Sequence, residues 1–307
     1  MTNARRWLWG IQAAVALVVV VLIARTVERN WAEFRSLEIH LRPRAGLLSL
    51  ATLTVFLAYA FYIEAWRRLL AGWRQRIGYP AAARVWCLAN LGRYVPGKIW
   101  SVTGLVVLAQ RAGIRASAAA ASAVATQALL LGTGVAVVAG ATPHATSALR
   151  LAAGLFVALA SLAVLVWEPT ARWVGSLMST QPPLTPLPLS AVVRSGAFMF
   201  LGWLTYGLVF WLFVHGLLPE AHLPFATAAG AFTLSYILGT LALFAPGGIG
   251  VREVVMISLL TPALGSGGAV ATSVGSRVLL TVGEAAAALI AVALVRTSPS
   301  ETPSESP

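Results

Sequence analysis

Two long apolar segments of this 307-residue chain break at the same point. Residues 84–110 contain Pro96-Gly97, and residues 224–262 contain Pro246-Gly247. The breaks lie 150 residues apart, and their flanks match: Tyr94-Val95-Pro96-Gly97-Lys98-Ile99 against Phe244-Ala245-Pro246-Gly247-Gly248-Ile249. A helix broken in hydrocarbon strands backbone N–H and C=O groups. Each break must therefore be buried in protein or line a wet cavity. Paired, Pro/Gly-interrupted segments at corresponding points of two halves point to a transporter's binding site.

The surroundings of both breaks read as membrane. The chain is 58% hydrophobic and 10% charged, where a soluble domain carries roughly 25% charged residues. Full-length apolar spans lie at 7–24, 46–66, 117–140, 150–167, 192–217 and 269–295. The first follows Arg5 and Arg6 but has no small-residue cleavage site, so it reads as a retained helix. The halves of 84–110 are too short to cross alone and imply a re-entrant hairpin. Residues 224–245 are long enough to cross, so 224–262 is either a hairpin or two crossings. The expected fold is an all-α polytopic membrane protein with about six full helices and two broken hairpins, or about eight spans if the second hairpin crosses.

The chain divides into an N-terminal helix (1–24), an interfacial amphipathic segment (25–45), a first membrane half (46–178), a Pro-rich linker (179–190), a second half (191–296) and a disordered tail (297–307). In the segment 25–45, Trp31, Phe34, Leu37 and Leu41 recur at helical spacing. With the N-terminus inside, twelve arginines fall on inside segments and six outside, which favours both termini in the cytoplasm. An offset of 150 residues maps 47 onto 197, 119–140 onto 269–290, and one broken region onto the other. An odd number of crossings separates the copies, so the repeat is inverted.

Composition excludes several functions. There are 21 Arg, one Lys, ten Glu and no Asp, so no Asp-rich metal–pyrophosphate motif exists. No HExxH, Walker loop or Cys/His cluster is present, and the four histidines are scattered. No cofactor is expected. The net charge of +12 lies in short loops as a topology signal and a contact for anionic lipid, without a nucleic-acid-binding face. The single Cys87 reads as a buried small apolar group.

What remains is a set of ionisable residues at membrane depth, where each costs about 2.5–3.5 kcal/mol on insertion scales and suggests function. Arg93 and Lys98 flank the first break; Arg252 and Glu253 follow the second; Arg277 and Glu284 lie in the last span. New helices can begin after Pro96-Gly97 and after Pro246-Gly247-Gly248-Ile249-Gly250, presenting free N–H groups to the break. Gly97, Gly247, Gly248 and Gly250 allow close approach of a ligand to the backbone. Arg93, Lys98 and Arg252 supply charge suited to phosphate, and Tyr94 adjoins them. The expected ligand is an anionic lipid headgroup. The same cations could instead satisfy broken-helix carbonyls or snorkel to the interface. Glu253 could pair with Arg252 or Arg93. Arg277 and Glu284, two turns apart on one face, read as partners for other helices, either structural or as a coupling or gating pair. Glu64 is placed for local bridges to Arg67 and Arg68, and Gln127 for an interhelical hydrogen bond.

The pattern LGRYVPGKIW…RAGI, followed by APGGIGVRE, resembles the flippase-like family named for the lysylphosphatidylglycerol synthase transmembrane region; EAWRRLL at 64–70 is similar too. The resemblance covers roughly residues 7–295. It implies translocation of an anionic phospholipid or a polyprenyl-phosphate type of lipid in the cytoplasmic membrane, without enzymatic activity. The aminoacylating domain of bifunctional relatives has no counterpart in this sequence. Many relatives have Glu where this chain has Gln127. The alternatives are a membrane-embedded lipid transferase using Glu253 or Glu284, and a non-catalytic subunit partnering an envelope-lipid enzyme.

Overall fold

The computed structural model describes residues 43–94, 99–141, 152, 156, 160, 165–169, 186–242 and 246–296. The helix expected at 7–24, the interfacial segment up to residue 42, most of the span 150–167, linker residues 179–185 and the tail 297–307 lie outside the described residues. All regular structure among the described residues is helical: α1 (Ala45–Gly72), α2 (Tyr79–Leu91), α3 (Ile99–Arg111), α4 (Ala116–Gly140), α5 (Leu189–Leu217), α6 (Phe225–Leu241) and α7 (Val251–Arg296). Helix α1, α4, α5 and α7 are each long and apolar enough to cross a membrane. The chain is thus a helical, polytopic membrane protein.

The helix ends follow from local chemistry. Extended residues Gly78, Pro188 and Pro224 immediately precede α2, α5 and α6, so α5 begins two residues inside the segment read as linker. Helix α3 stops in a Schellman turn. Ile114 N–H donates to Ala109 O (3.1 Å) and Gly113 N–H to Gln110 O (3.0 Å), with Gly113 at φ 87°. Helix α1 ends in the same motif, but Arg74 takes the left-handed position at φ 55°. The two ends are tied together: Arg115 N–H donates to Gln75 Oε1 (3.1 Å), and Arg115 Nη2 donates to Trp73 O (3.3 Å).

Helix α6 is shorter than its apolar run. It has 17 residues, about 25 Å at 1.5 Å per residue, and ends where Ala242 leaves helical geometry at ψ 82°. Helix α7 is two helices joined at Gly265, whose φ 69° and ψ 168° suit glycine alone. Pro262, three residues earlier, lacks the N–H that an unbroken helix would use.

Packing centres on α1 against α5, with Trp66, Trp203, Phe210 and Phe232 fully buried around them. Small residues let these helices close. A Cβ at Gly202 would lie 2.8 Å from the Tyr62 ring, and Ser195 Oγ donates to Ala65 O. Trp66 Nε1 donates to Ser122 Oγ (3.0 Å), and Trp203 Nε1 to Leu130 O (3.0 Å), which fixes α4 against the pair. Helices α2 and α3 pack on each other around the first break. Helix α2 packs on α7, α6 packs on α4, and the two breaks touch. Cys87 is buried, as its apolar setting predicts.

Candidate functional site

A short 3-10 turn, Gly92–Tyr94, leads into the first break, and another, Pro246–Gly248, lies at the second. The second needs glycine: Gly247 has φ 57° and Gly248 φ 71°. Gly248 also presses against α6, where an added Cβ would sit 2.9 Å from Gly239 Cα. The turn is thus held backbone to backbone, and Gly247 faces the first break, within reach of Arg93 O and the Tyr94 ring.

The described charged residues at the breaks sort into two ion pairs and one further arginine. Arg93 Nη1 donates to Glu284 Oε1 (3.0 Å), joining the first break to the last part of α7. Tyr94 Oη donates to the other oxygen of the same carboxylate (2.7 Å). Arg93 also closes the end of α2, with Nε on Asn90 O (3.2 Å) and Nη2 on Asn90 Oδ1 (2.5 Å). Glu284 is 5% exposed, so its charge requires these partners.

In the second pair, Arg277 Nη1 donates to Glu253 Oε1 (2.6 Å). Arg277 Nη2 donates to Gly247 O (2.9 Å), satisfying a carbonyl orphaned by the break. Glu253 Oε2 accepts from Gly250 N–H (2.6 Å), the reach-back half of a capping box. Two expectations need correction. Glu253 pairs with Arg277 rather than with Arg252 or Arg93. The N-terminus of α7 is already capped by the chain's own carboxylate, so its Gly250 N–H is not available to a ligand.

Arg252 is different. Its guanidinium carbon lies 4.8 Å from the Tyr236 ring centroid and 5.6 Å from that of Phe232. Among the described residues it has no carboxylate partner. Its stem runs across Gly239, where any Cβ would overlap Arg252 Cγ. The Arg93 guanidinium also sits over Tyr236, at 5.8 Å. One ring therefore holds two cations, and among the described residues three arginines face two glutamates.

These groups border a cavity of about 280 Å³ between the breaks and the α1–α4–α5–α6 core. Of the residues expected to bind, Arg93, Gly247, Gly248 and Arg252 line it. Tyr94, Glu253, Arg277 and Glu284 stand behind, in the ion-pair network. Gly250 is exposed just before α7 and does not line this cavity. Pro246 opens the second turn, and Pro96, Gly97 and Lys98 lie outside the described residues. Arg277 and Glu284 do reach separate partners, as their spacing requires. Gln127 lines the cavity and makes no interhelical hydrogen bond among the described residues, contrary to its expected role. The Glu64 bridges form as expected, to Arg67 (2.5 Å) and Arg68 (2.6 Å).

Sequence reasoning missed much of the wall. Tyr59, Tyr62, Tyr206 and Tyr236 line the cavity with Trp86, Asn90 and Thr126. Only the Tyr59/Tyr62 spacing, one helical turn, hinted at a shared face. The hydroxyls of Tyr62 and Thr126 are buried and have no hydrogen-bond partner among the described residues.

Fold and site together define a polytopic helical membrane protein with a charged, aromatic-walled cavity between two broken helices. The chain belongs to the family described as the lysylphosphatidylglycerol synthase TM region, which matches residues 11–288. A comparison with curated proteins gives no significant match.

Proposed function

We propose that this protein is a flippase-like translocator of the cell membrane that captures an anionic phospholipid or lipid-linked phosphate by its headgroup. One observation carries the reading: Arg252 lines the cavity at the meeting point of the breaks and, among the described residues, has no carboxylate partner. Desolvated positive charge with no counterion is costly, and a phosphate oxygen is the complement a guanidinium fits best. The second break adds glycine backbone to the cavity wall through Gly247 and Gly248.

The order of elements supports alternating access between inverted halves. Long, short, break, short, long describes α1 to α4 and also α5 to the end of α7. Exchanging the halves turns the α4–α6 contact into the α7–α2 contact. On this reading both hairpins are re-entrant at the cavity, and both termini face the cytoplasm. Glu284 and Glu253 are each engaged by arginine, which favours binding and movement over covalent chemistry.

The test is a vesicle assay with fluorophore-labelled phosphatidylglycerol and polyprenyl phosphate, following quencher access to the outer leaflet. Wild-type protein accelerates exchange over empty vesicles, and Arg252→Gln slows it at least tenfold. Equal rates for wild type, variant and empty vesicles refute the proposal for those lipids.

A further inference from the structure

Arg93 and Arg252 both line the cavity, but they are held in different ways. Arg93 is fixed by hydrogen bonds to Glu284 and to the backbone and side-chain oxygens of Asn90. Arg252 is held by packing on α6. Its guanidinium carbon lies 4.8 Å from the Tyr236 ring centroid and 5.6 Å from that of Phe232, and its stem crosses Gly239. Phe232, Tyr236 and Gly239 follow helical spacing, so this seat is one stripe of α6. Tyr236 is itself braced. Trp203 of α5 meets it edge to face, with ring centroids 5.1 Å apart and planes at 80°. Trp203 is buried, and its Nε1 donates to Leu130 O on α4 (3.0 Å). The same Tyr236 ring lies 5.8 Å from the Arg93 guanidinium, so it spaces the cation of the first break from the cation after the second.

Resting on the anion-capturing reading above, we propose that Tyr236 is the positioning residue of the cavity: its ring face, set by Trp203, holds the Arg252 guanidinium in place beside Arg93 before an anion arrives. An arginine held by its stem alone samples many rotamers, and an anion that binds it must freeze them. A desolvated cation–π contact holds the guanidinium in advance. It supplies no oxygen acceptor, so the N–H donors remain for an oxyanion. The ring face carries this role rather than the hydroxyl, because both arginine contacts are to the ring. The brace also runs through three helices, from Leu130 on α4 through Trp203 on α5 to Tyr236 on α6, so the position of Arg252 reports how those helices pack.

The experiment uses the purified full-length chain in detergent micelles and reads two signals. The first is the Nε–H resonance of Arg252 in protein carrying isotope-labelled arginine, assigned by its loss in Arg252→Gln. The second is binding of fluorophore-labelled phosphatidylglycerol and of labelled polyprenyl phosphate. Tyr236→Leu and Tyr236→Met remove the ring current and move the Arg252 resonance; each weakens binding about tenfold. Using both keeps the test intact should one of them fail to fold. Tyr236→Phe keeps the ring face, and its binding stays within about threefold of wild type. An Arg252 resonance unmoved in the ringless variants overturns the proposal. So does unchanged binding in those variants, or Tyr236→Phe binding as weakly as Tyr236→Leu. No saturable binding of either lipid to wild type, with the resonance still moved in Tyr236→Leu, overturns anion capture and leaves the seat of Arg252 standing. Neither binding nor a moved resonance overturns both.

Discussion

Glu284→Gln isolates the charge at the join between the first break and the last helix. The substitution keeps the side-chain shape and removes one negative charge from a site 5% exposed. It leaves Arg93 without its carboxylate and turns one oxygen, which accepts from Arg93 or Tyr94, into a donor facing donors. Breaking a buried pair in this way costs about 3–5 kcal/mol. Arg93 keeps both Asn90 contacts and a side chain 22% exposed, so the lower end applies, about 3 kcal/mol. The measurement is reversible unfolding in mixed micelles, titrated with denaturing detergent and followed by tryptophan emission. The double variant Arg93→Met/Glu284→Met recovers about 2 kcal/mol relative to the sum of the single changes, because no lone charge remains buried. A Glu284→Gln loss below about 0.5 kcal/mol, or strict additivity in the cycle, refutes the claim that this pair fastens the break.

Three further outcomes follow from the same geometry. Glu253→Gln weakens the Arg277 pair and the Gly250 cap together, and lowers stability by about 2 kcal/mol in the same titration. Gly239→Ala forces Arg252 off its seat against Tyr236; headgroup binding falls at least tenfold while the micellar unfolding midpoint shifts far less than in Glu284→Gln. Glu64→Gln, which breaks two partly exposed bridges within one helix, costs about 0.5 kcal/mol and leaves lipid exchange unchanged.

Hydrophobic run length and Pro-Gly punctuation made the helices legible, because the bilayer forces each apolar run into a helix of matching length. The expected spans 46–66, 117–140 and 192–217 fall inside α1, α4 and α5. Pro and Gly also marked both breaks, and charge at membrane depth selected Arg93, Arg252, Glu253, Arg277 and Glu284. The pairing pattern was not legible, since which acid meets which base depends on how helices distant in sequence pack. Local spacing offered Arg252 to Glu253, its neighbour in the chain. Packing gave Glu253 to Arg277 instead, from beyond the kink at Gly265. The aromatic wall was hidden for a related reason: in an apolar helix a tyrosine facing a cavity has the same sequence surroundings as one facing lipid.

The stretch of α7 after Gly265 holds both breaks by two side chains seven residues apart. Arg277 grips the second turn and Glu284 grips the first, about 10 Å along one rod. A helix resists bending over so short a length, so tilting or rotating this rod shifts both grips together. On the alternating-access proposal it is a tie bar between two jaws: neither opens alone while both grips last. On that proposal, synchrony of the two halves, which separate gates would have to acquire by communication, comes from the stiffness of a single piece of backbone.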